Sequence, residues 1–236
     1  MTEEKGTAPE QTTQEPSGKR EREPMSMSRR SLFIGVGSTA ALLGLGALRY
    51  VGHTPLNRPP GGQDESALVS ACIRCERCYE ACPRKIIIPA SIEDGLLGMR
   101  SPQLDFSANY CDFCREENGG VPLCTQVCPT NALQLPADAV LGNPETGERG
   151  NVIIGIAKID EYSCLAFRDT GCRACYDACE YDAIRLEGTD TNPRVYVEAD
   201  KCNGCGACES VCKSLSAGSI VAGATHRAII VEPVEA

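Results

Sequence analysis

The residues with the clearest chemistry in this chain are its 16 cysteines. They fall into four groups of four, with none left over: Cys72, Cys75, Cys78 and Cys82; Cys111, Cys114, Cys124 and Cys128; Cys164, Cys172, Cys175 and Cys179; and Cys202, Cys205, Cys208 and Cys212. The first and last groups have the spacing C-x2-C-x2-C-x3-C, in which three thiolates ligate one iron–sulfur cluster and the fourth ligates a partner cluster. The sequence therefore predicts that all sixteen cysteines are iron ligands in four [4Fe–4S] clusters, which would transfer electrons.

Two other kinds of site also use cysteines. A disulfide framework would suit an exported protein, but disulfides require particular Cα separations and give irregular spacings rather than a repeated group of four. Zinc binds C-x2-C pairs too, yet a structural zinc site closes on two separated pairs, so a third thiolate at the next C-x2-C step has no clear use. The spacing favours iron–sulfur clusters over both.

Other residue types that could do chemistry are few. The two histidines, His53 and His226, are not placed with an acid and a pocket, so both are interpreted as ordinary polar residues. The sequence has no Gly-rich nucleotide loop after a strand and no nucleophile–base pair. Tyr79, Phe113 and Tyr176 lie next to ligands and are expected to pack against clusters as core residues. The chain is predicted to have no catalytic site of its own.

The elements that must position the cysteines are short. Strand-like runs occupy residues 152–157, 194–197 and 228–231, and each leads into or out of a cysteine loop. This pattern predicts an α+β fold of tandem ferredoxin-like modules with two [4Fe–4S] clusters each. The chain has no tryptophan and only 5% aromatic residues, which is little material for a hydrophobic core. Clusters would supply the missing cross-links, so the iron-free chain is expected to be poorly folded.

The front of the chain differs from the rest. Residues 1–27 are polar and predicted to be a disordered leader. Residues 28–50 begin with Ser-Arg-Arg-Ser-Leu-Phe and continue as an apolar stretch, which is typical of a twin-arginine export signal. Residues 51–63 are a Pro/Gly-rich linker, and residues 64–236 form the predicted four-cluster domain.

The signal and the clusters explain each other. Clusters are inserted in the cytoplasm, and the twin-arginine translocase accepts cargo that has already folded, so the predicted location is the periplasm. The apolar stretch 31–48 is close to the roughly 20 residues that cross a bilayer. A cleaved signal and a retained membrane tether both remain open.

The charge of the chain excludes one class of partner. The net charge is −9 at pH 7. The first 62 residues carry eight basic and six acidic side chains, which leaves 15 basic and 26 acidic side chains, a balance of −11, for the remainder. An acidic surface without a basic stripe makes nucleic acid an unsuitable partner, and it favours redox partners with positive patches.

Several segments together resemble a known family. The chain is similar to the NapG/MauM group of ferredoxin-type proteins in its twin-arginine leader and in residues 58–61 (RPPG), 70–75 (SACIRC), 124–129 (CTQVCP) and 164–175. The long leader and the stretched second cysteine group depart from the family pattern. The resemblance implies a periplasmic four-cluster electron-transfer subunit of a quinol dehydrogenase complex. Its implied donor is a polytopic membrane iron–sulfur protein of the NapH kind, and its acceptor a periplasmic reductase system, nitrate reductase in the best-known case, or a cytochrome.

A resemblance to four-cluster subunits of molybdenum enzymes implies how the groups pair. In those subunits group one pairs with group four, and group two with group three. The implied ligand sets are Cys72, Cys75, Cys78 with Cys212; Cys202, Cys205, Cys208 with Cys82; Cys111, Cys114, Cys124 with Cys179; and Cys164, Cys172, Cys175 with Cys128. Sequential pairing, one with two and three with four, is the alternative.

Two alternative functions stay open at this point. The first is an electron-transfer subunit of a molybdopterin oxidoreductase, which would use the same clusters with a different partner. The second is an assembly or scaffold protein in which the metal sites only stabilise the fold.

Overall fold

The structure is a computed structural model that describes residues 28–51, 55–189, 191–216 and 225–234. The predicted polar leader, residues 1–27, lies outside the described residues, as does His53. A boundary between two compact units falls between Leu45 and Gly46.

The first described element is helix α1 (Arg29–Val51), which spans most of the predicted export signal. Its alanines and leucines favour a helix, whereas its glycines lower the propensity. The described apolar side chains on it are exposed, including Phe33 and Leu43. Within the described part of the chain, no helix combines the length and the apolar character needed to cross a membrane.

The unit that begins at Gly46 is built from short helices and short strands. The helices among its described residues are α2 (Glu65–Ala71), α3 (Arg77–Ala81), α4 (Arg115–Asn118), α5 (Leu123–Gln126), α6 (Ala174–Asp177) and α7 (Ala207–Ser210), with 3-10 turns at Leu165–Arg168 and Ser214–Ser216. The strands are β1 (Ile87–Pro89), β2 (Pro102–Leu104), β3 (Leu141–Asn143), β4 (Glu148–Gly150), β5 (Gly155–Ile159), β6 (Ile184–Thr189), β7 (Asn192–Val197) and β8 (Ile229–Pro233). The α+β class is confirmed, and the three predicted strand-like runs overlap β5, β7 and β8.

The strands pair as four separate antiparallel ribbons: β1 with β2, β3 with β4, β5 with β8, and β6 with β7. β1–β2 lies between cysteine groups one and two, and β6–β7 lies between groups three and four. β5 precedes group three and β8 follows group four, so their pairing, with Gly155 opposite Pro233, closes the chain around the last two groups.

Two hydrophobic cores follow from these ribbons. The core of the first module, residues 55–135, contains Leu68, Phe106 and Phe113 together with cysteines of groups one and two. The core of the second module, residues 155–233, contains Ile184 and Val195 together with cysteines of groups three and four. Each core is small and is packed directly against cysteine side chains, which agrees with the low aromatic content.

The Arg-Pro-Pro-Gly segment of the predicted linker is packed into the first module. Arg58 is only 2% exposed; its guanidinium pairs with Glu65, and its Nη1 donates to Ser101 Oγ at 2.9 Å and to the Pro102 carbonyl at 2.7 Å. Gly61 has φ +83°, and a Cβ there would lie 2.7 Å from the Gln134 backbone. The segment fixes the entry of the chain into the first module.

Candidate metal centres

The structure gathers the sixteen cysteines into four cavities, each lined by four of them. Each cavity takes the first three cysteines of one group and the fourth cysteine of another. We name the four cavities site I (Cys72, Cys75, Cys78, Cys128), site II (Cys111, Cys114, Cys124, Cys82), site III (Cys164, Cys172, Cys175, Cys212) and site IV (Cys202, Cys205, Cys208, Cys179).

The fourth cysteines are exchanged between consecutive groups. Cys82 lines site II and Cys128 lines site I, while Cys179 lines site IV and Cys212 lines site III. The implied pairing of group one with four and group two with three is therefore wrong, and the sequential alternative is the one observed. The reason is topological: a hairpin joins the paired groups in each module, β1–β2 in the first and β6–β7 in the second, and a hairpin returns the chain to where it started.

Left-handed backbone turns the cysteine loops toward their cavities. In group one, the residues on either side of Cys75, Arg74 and Glu76, have φ of 56° and 64°. At the equivalent positions of group four, Gly204 and Gly206 have φ of 77° and 84°. Glycine adopts this conformation without steric cost. Arginine and glutamate adopt it only with backbone strain, so the loop of group one is more strained than that of group four.

The electrostatics of the thiols reflect their convergence. Desolvation by burial, followed by the nearby Cys72, Cys75 and Cys128, raises the pKa of Cys78 to about 12. Burial likewise raises the pKa of Cys124 strongly, and the next largest contributions come from Cys114 and Cys82. In each case the exchanged fourth cysteine is among the groups that raise the pKa: Cys128 acts on Cys78 in site I, and Cys82 acts on Cys124 in site II. Without a cation these thiols are protonated at neutral pH, and a metal must displace those protons to bind.

The second module shows the same pattern. Desolvation by burial, followed by Cys164 and Cys172, raises the pKa of Cys175 to about 12, and Cys212 adds to the shift. Desolvation also raises the pKa of Cys205 to about 12, with a contribution from Cys179. Buried thiols whose pKa is raised in this way need a positively charged group to hold them as thiolates.

Backbone amides point at some of the sulfurs. Ala183 N donates to Cys179 Sγ at 3.3 Å, Ala157 N to Cys202 Sγ at 3.4 Å, and Leu123 N to Cys114 Sγ at 3.5 Å. Such donors stabilise thiolate charge and are one of the features that set the potential of an iron–sulfur cluster. Desolvation alone would raise the pKa of Cys128, but backbone donors led by Leu133 outweigh it, so that pKa is lowered.

The spacing of the sulfurs distinguishes a cluster from a single ion. Around zinc, with Zn–S bonds of about 2.3 Å, tetrahedral sulfurs lie roughly 3.8 Å apart. We therefore consider groups of three or more His, Cys, Asp or Glu residues whose ligand atoms all lie within 4.8 Å of one another. Among the described residues such a group is formed by Asp112, Glu116 and Glu117, and it contains no cysteine. The sulfurs of each site instead line the wall of a cavity and are spaced more widely than the ligands of a single ion. Four thiolates around a space of this kind fit a cubane cluster.

Comparison with known proteins agrees with this arrangement. Two family models, each described as a 4Fe-4S dicluster domain, match residues 71–133 and 170–215. The chain is 31% identical over 204 residues to the methylamine utilization ferredoxin-type protein MauM of Methylorubrum extorquens, covering 80% of this chain and 86% of MauM. It is 32% identical over 165 residues to the ferredoxin-type protein NapG of Escherichia coli K12, covering 66% of this chain and 65% of NapG.

The chain belongs to the NapG/MauM family of ferredoxin-type proteins. A further relative, the ferredoxin-type protein NapF of Escherichia coli K12, is 31% identical over 158 residues, which cover 66% of this chain and 79% of NapF. The matched region spans about two thirds of the length of the NapG proteins. Membership makes this chain an iron–sulfur protein of the electron-transfer type that binds [4Fe–4S] clusters, and each dicluster match contains one pair of consecutive cysteine groups or most of it.

In this NapG/MauM-family chain, sites II and IV meet at the contact between the two modules. The Cys111 amide donates to the Cys205 carbonyl at 2.8 Å, so ligand loops of the two sites are hydrogen-bonded directly. A Cβ on Gly206 would lie 2.1 Å from the Phe106 ring, which shows how closely the site IV loop approaches the first module. Arg115 pairs with Glu180 across the same contact.

The aromatic predictions have different outcomes. Tyr79 lines site I, and its hydroxyl donates to the Arg100 carbonyl at 2.9 Å. Phe113 is 1% exposed in the first core. Tyr176, in contrast, is 39% exposed, and its ring lies 5.9 Å from the Arg173 guanidinium; the prediction that it packs as a core residue is wrong. His226 is exposed and lies 3.9 Å from Asp160.

Sequence reasoning missed two polar residues in the wall of site IV, Tyr181 and Asn203. Both are buried, at 2% and 1% exposure. Desolvation raises the pKa of Tyr181, while Arg115 and Asn203 act in the opposite direction. The Asn203 side chain lies close enough to the Tyr181 hydroxyl to lower its pKa, but the two do not reach hydrogen-bond geometry. Among the described residues, neither the Tyr181 hydroxyl nor Asn203 Nδ2 has any other hydrogen-bond partner. The only signal in the sequence is their position beside Cys179 and Cys202, which by itself does not separate them from solvent-facing residues.

Proposed function

We propose that this chain relays electrons through four [4Fe–4S] clusters held by its sixteen cysteines, one cluster in each of sites I to IV. When bound, each cluster supplies a one-electron redox centre. The chain itself supplies the thiolates, the backbone amides that donate to them, and apolar walls that limit water around the sulfurs. In this proposal the chain only transfers electrons, and its partners extract and consume them.

The observation that carries this proposal is the order of the sites. Sites I and II share the first core, and sites III and IV share the second. The modules meet through the Cys111–Cys205 hydrogen bond, which belongs to sites II and IV. The sites therefore follow one another as I, II, IV and III. Such a row has two ends, as a relay between two partners requires.

Site I has the features of an end of the row. Cys75 is exposed, and beside it Ile73 and Leu97 are each 63% exposed. Arg74 Nη2 donates to the Leu97 carbonyl at 3.0 Å, which holds this apolar surface against the ligand loop. A ligand at the surface with apolar side chains around it suits brief contact with a redox protein.

The proposed partners and location follow from family membership and from the front of the chain. A polytopic membrane iron–sulfur protein of the NapH kind would supply quinol-derived electrons, and a periplasmic reductase system of the nitrate-reductase type, or a cytochrome, would accept them. The Arg29–Arg30 pair and the apolar segment after it support export by the twin-arginine translocase. Export by this route would deliver the chain to the periplasm with its clusters already inserted.

The two other functions find less support. The sequential pairing differs from the pairing expected of four-cluster subunits of molybdopterin enzymes, so that alternative is not proposed here. A zinc-stabilised scaffold would need the sulfurs of a site closer together than the structure places them, since no three of them all lie within 4.8 Å of one another.

The test is reduction by quinol in the presence of the membrane partner. Purified, oxidised chain is mixed anaerobically with membranes that contain or lack the NapH-like protein, and a quinol is added. Bleaching of the cluster absorbance only when both are present would support the proposal. Equal bleaching without the NapH-like protein, or none with it although dithionite reduces the clusters, would contradict the proposed donor.

A further inference from the structure

Site IV differs from the other sites in carrying buried polar atoms that lack a partner. Four buried side-chain atoms among the described residues have no hydrogen-bond partner within the protein. Two of them, Tyr181 Oη and Asn203 Nδ2, belong to residues that line site IV. The other two belong to Asn57 and Asn192, which line none of the four cysteine sites.

A buried donor without an acceptor is destabilising, because folding removes its water and supplies nothing in return. Two such donors in one cavity wall are therefore evidence for a missing acceptor in that cavity. The atoms available are the sulfurs of site IV, both the cysteine thiolates and the sulfides that a cluster brings. Thiolate and sulfide sulfurs can accept hydrogen bonds from tyrosine hydroxyls and from amide N–H groups.

Both side chains are held in position by contacts elsewhere. Asn203 Oδ1 accepts from the Cys205 amide at 3.2 Å, and the Asn203 carbonyl accepts from Ile154 N at 2.9 Å. These contacts fix the orientation of the Asn203 side chain, and its Nδ2 is the atom left to donate a hydrogen bond. The Tyr181 ring lies 5.9 Å from the Arg115 guanidinium, and a Cβ on Gly142 would lie 2.7 Å from Tyr181 Cε1.

We infer that the Tyr181 hydroxyl and the Asn203 side-chain amide donate hydrogen bonds to the sulfurs of the cluster in site IV and raise its reduction potential. This inference rests on the proposed occupation of site IV. Donors at the sulfurs favour the reduced cluster, because it carries one more negative charge. Site IV is where the second module meets the first, so a raised potential there favours transfer of an electron from site II to site IV.

The decisive variant is Tyr181→Phe. It removes one oxygen that has no partner in the protein and keeps the ring, so folding and cluster content should be retained. We expect an anaerobic redox titration followed by electron paramagnetic resonance to show one of the cluster signals shifted to lower potential. A tenfold change in the reduction equilibrium corresponds to 59 mV for one electron, and a shift of that order is expected.

Tyr79→Phe is the matched control. Tyr79 also lines a cysteine site, but its hydroxyl donates to the Arg100 carbonyl. This control should therefore leave the reduction potential of the site I cluster unchanged, whereas Tyr181→Phe is expected to shift a potential by about 59 mV. Equal shifts in both variants would show that removal of any hydroxyl near a cluster suffices, which would overturn the inference.

A second perturbation acts in the opposite direction. Site-specific 3-fluorotyrosine at position 181 makes the hydroxyl a stronger donor without removing it, so the same signal should move to higher potential. Asn203→Leu removes the donor without adding a charge, and it should lower that same signal. Different signals responding to the two positions would contradict the inference.

The outcomes separate this inference from the proposed function. If the purified chain shows no [4Fe–4S] signals, the proposed function fails. If the signals are present and Tyr181→Phe leaves all of them in place, the inference fails while the relay stands. The latter result would mean that Tyr181 and Asn203 satisfy each other rather than the cluster.

Discussion

Replacement of Gly206 by alanine tests the contact between the modules. Gly206 has φ +84°, and a Cβ there would lie 2.1–2.5 Å from three atoms of the Phe106 ring. Phe106 belongs to the first module and is 2% exposed, so it has little room to move away. Gly206→Ala should therefore force the site IV loop away from the first module and weaken the Cys111–Cys205 hydrogen bond.

Two terms set the size of the effect. Holding alanine in left-handed backbone costs about 1–2 kcal/mol. Forcing a methyl group into a packed ring contact costs about 1–3 kcal/mol more. The control Gly147→Ala isolates the first term, because Gly147 has φ +70° and nothing lies within 4 Å of its added Cβ. The steric term alone corresponds to roughly five- to 140-fold in an equilibrium constant, at 1.4 kcal/mol per tenfold.

Hydrogen–deuterium exchange reports this opening directly. The Cys111 amide crosses the module contact, so a peptide covering residues 106–114 should lose protection in Gly206→Ala by about the steric factor. Gly147→Ala should leave that peptide unchanged. Adding Phe106→Leu to Gly206→Ala should restore part of the protection, since the smaller side chain makes room. Unchanged protection in Gly206→Ala would refute the close approach of the two modules.

The remaining predictions concern the ligands, the packed entry segment and the iron. Cys128→Ser should remove the cluster signal of site I and spare that of site II; loss of the same signal as in Cys111→Ser would contradict the exchange of fourth cysteines. Arg58→Met leaves the partners of a buried guanidinium without their ion and should cost about 3–5 kcal/mol. The clusters of this variant should bleach faster in guanidinium than those of Arg168→Met, because Arg168 is exposed and lines none of sites I to IV. Complete removal of iron should expand the chain in small-angle X-ray scattering and abolish protection of the core amides, because ligation energy is also folding energy; an unchanged radius would contradict this. On exposure to air, site I should bleach first because Cys75 is exposed, and simultaneous loss of all clusters would count against that ranking.

The cysteine spacing predicted the chemistry but not the pairing. The spacing of three ligands within a group is local, so Cys202, Cys205 and Cys208 can be assigned to one centre from sequence alone. Which group supplies the fourth ligand depends on the hairpins between groups and on the distant pairing of β5 with β8. Those are long-range contacts, and no residue within a group encodes them.

The fold class was also predictable, because the strand-like runs are short and adjacent to the ligands. Other features depend on burial that the sequence does not display. Tyr176 and Tyr181 are both tyrosines close to Cys179, yet one is exposed and the other is 2% exposed in the wall of site IV. The burial of Arg58 was similarly hidden, since a Pro/Gly-rich stretch is typical of a linker.

Direct analysis of metal and sulfide tests the central claim most directly. Anaerobically purified chain should contain about sixteen iron and about sixteen acid-labile sulfide per polypeptide, as four cubane clusters require, and no stoichiometric zinc. A preparation with about four zinc ions and no sulfide would contradict the account, because the sulfurs would then enclose single ions rather than clusters.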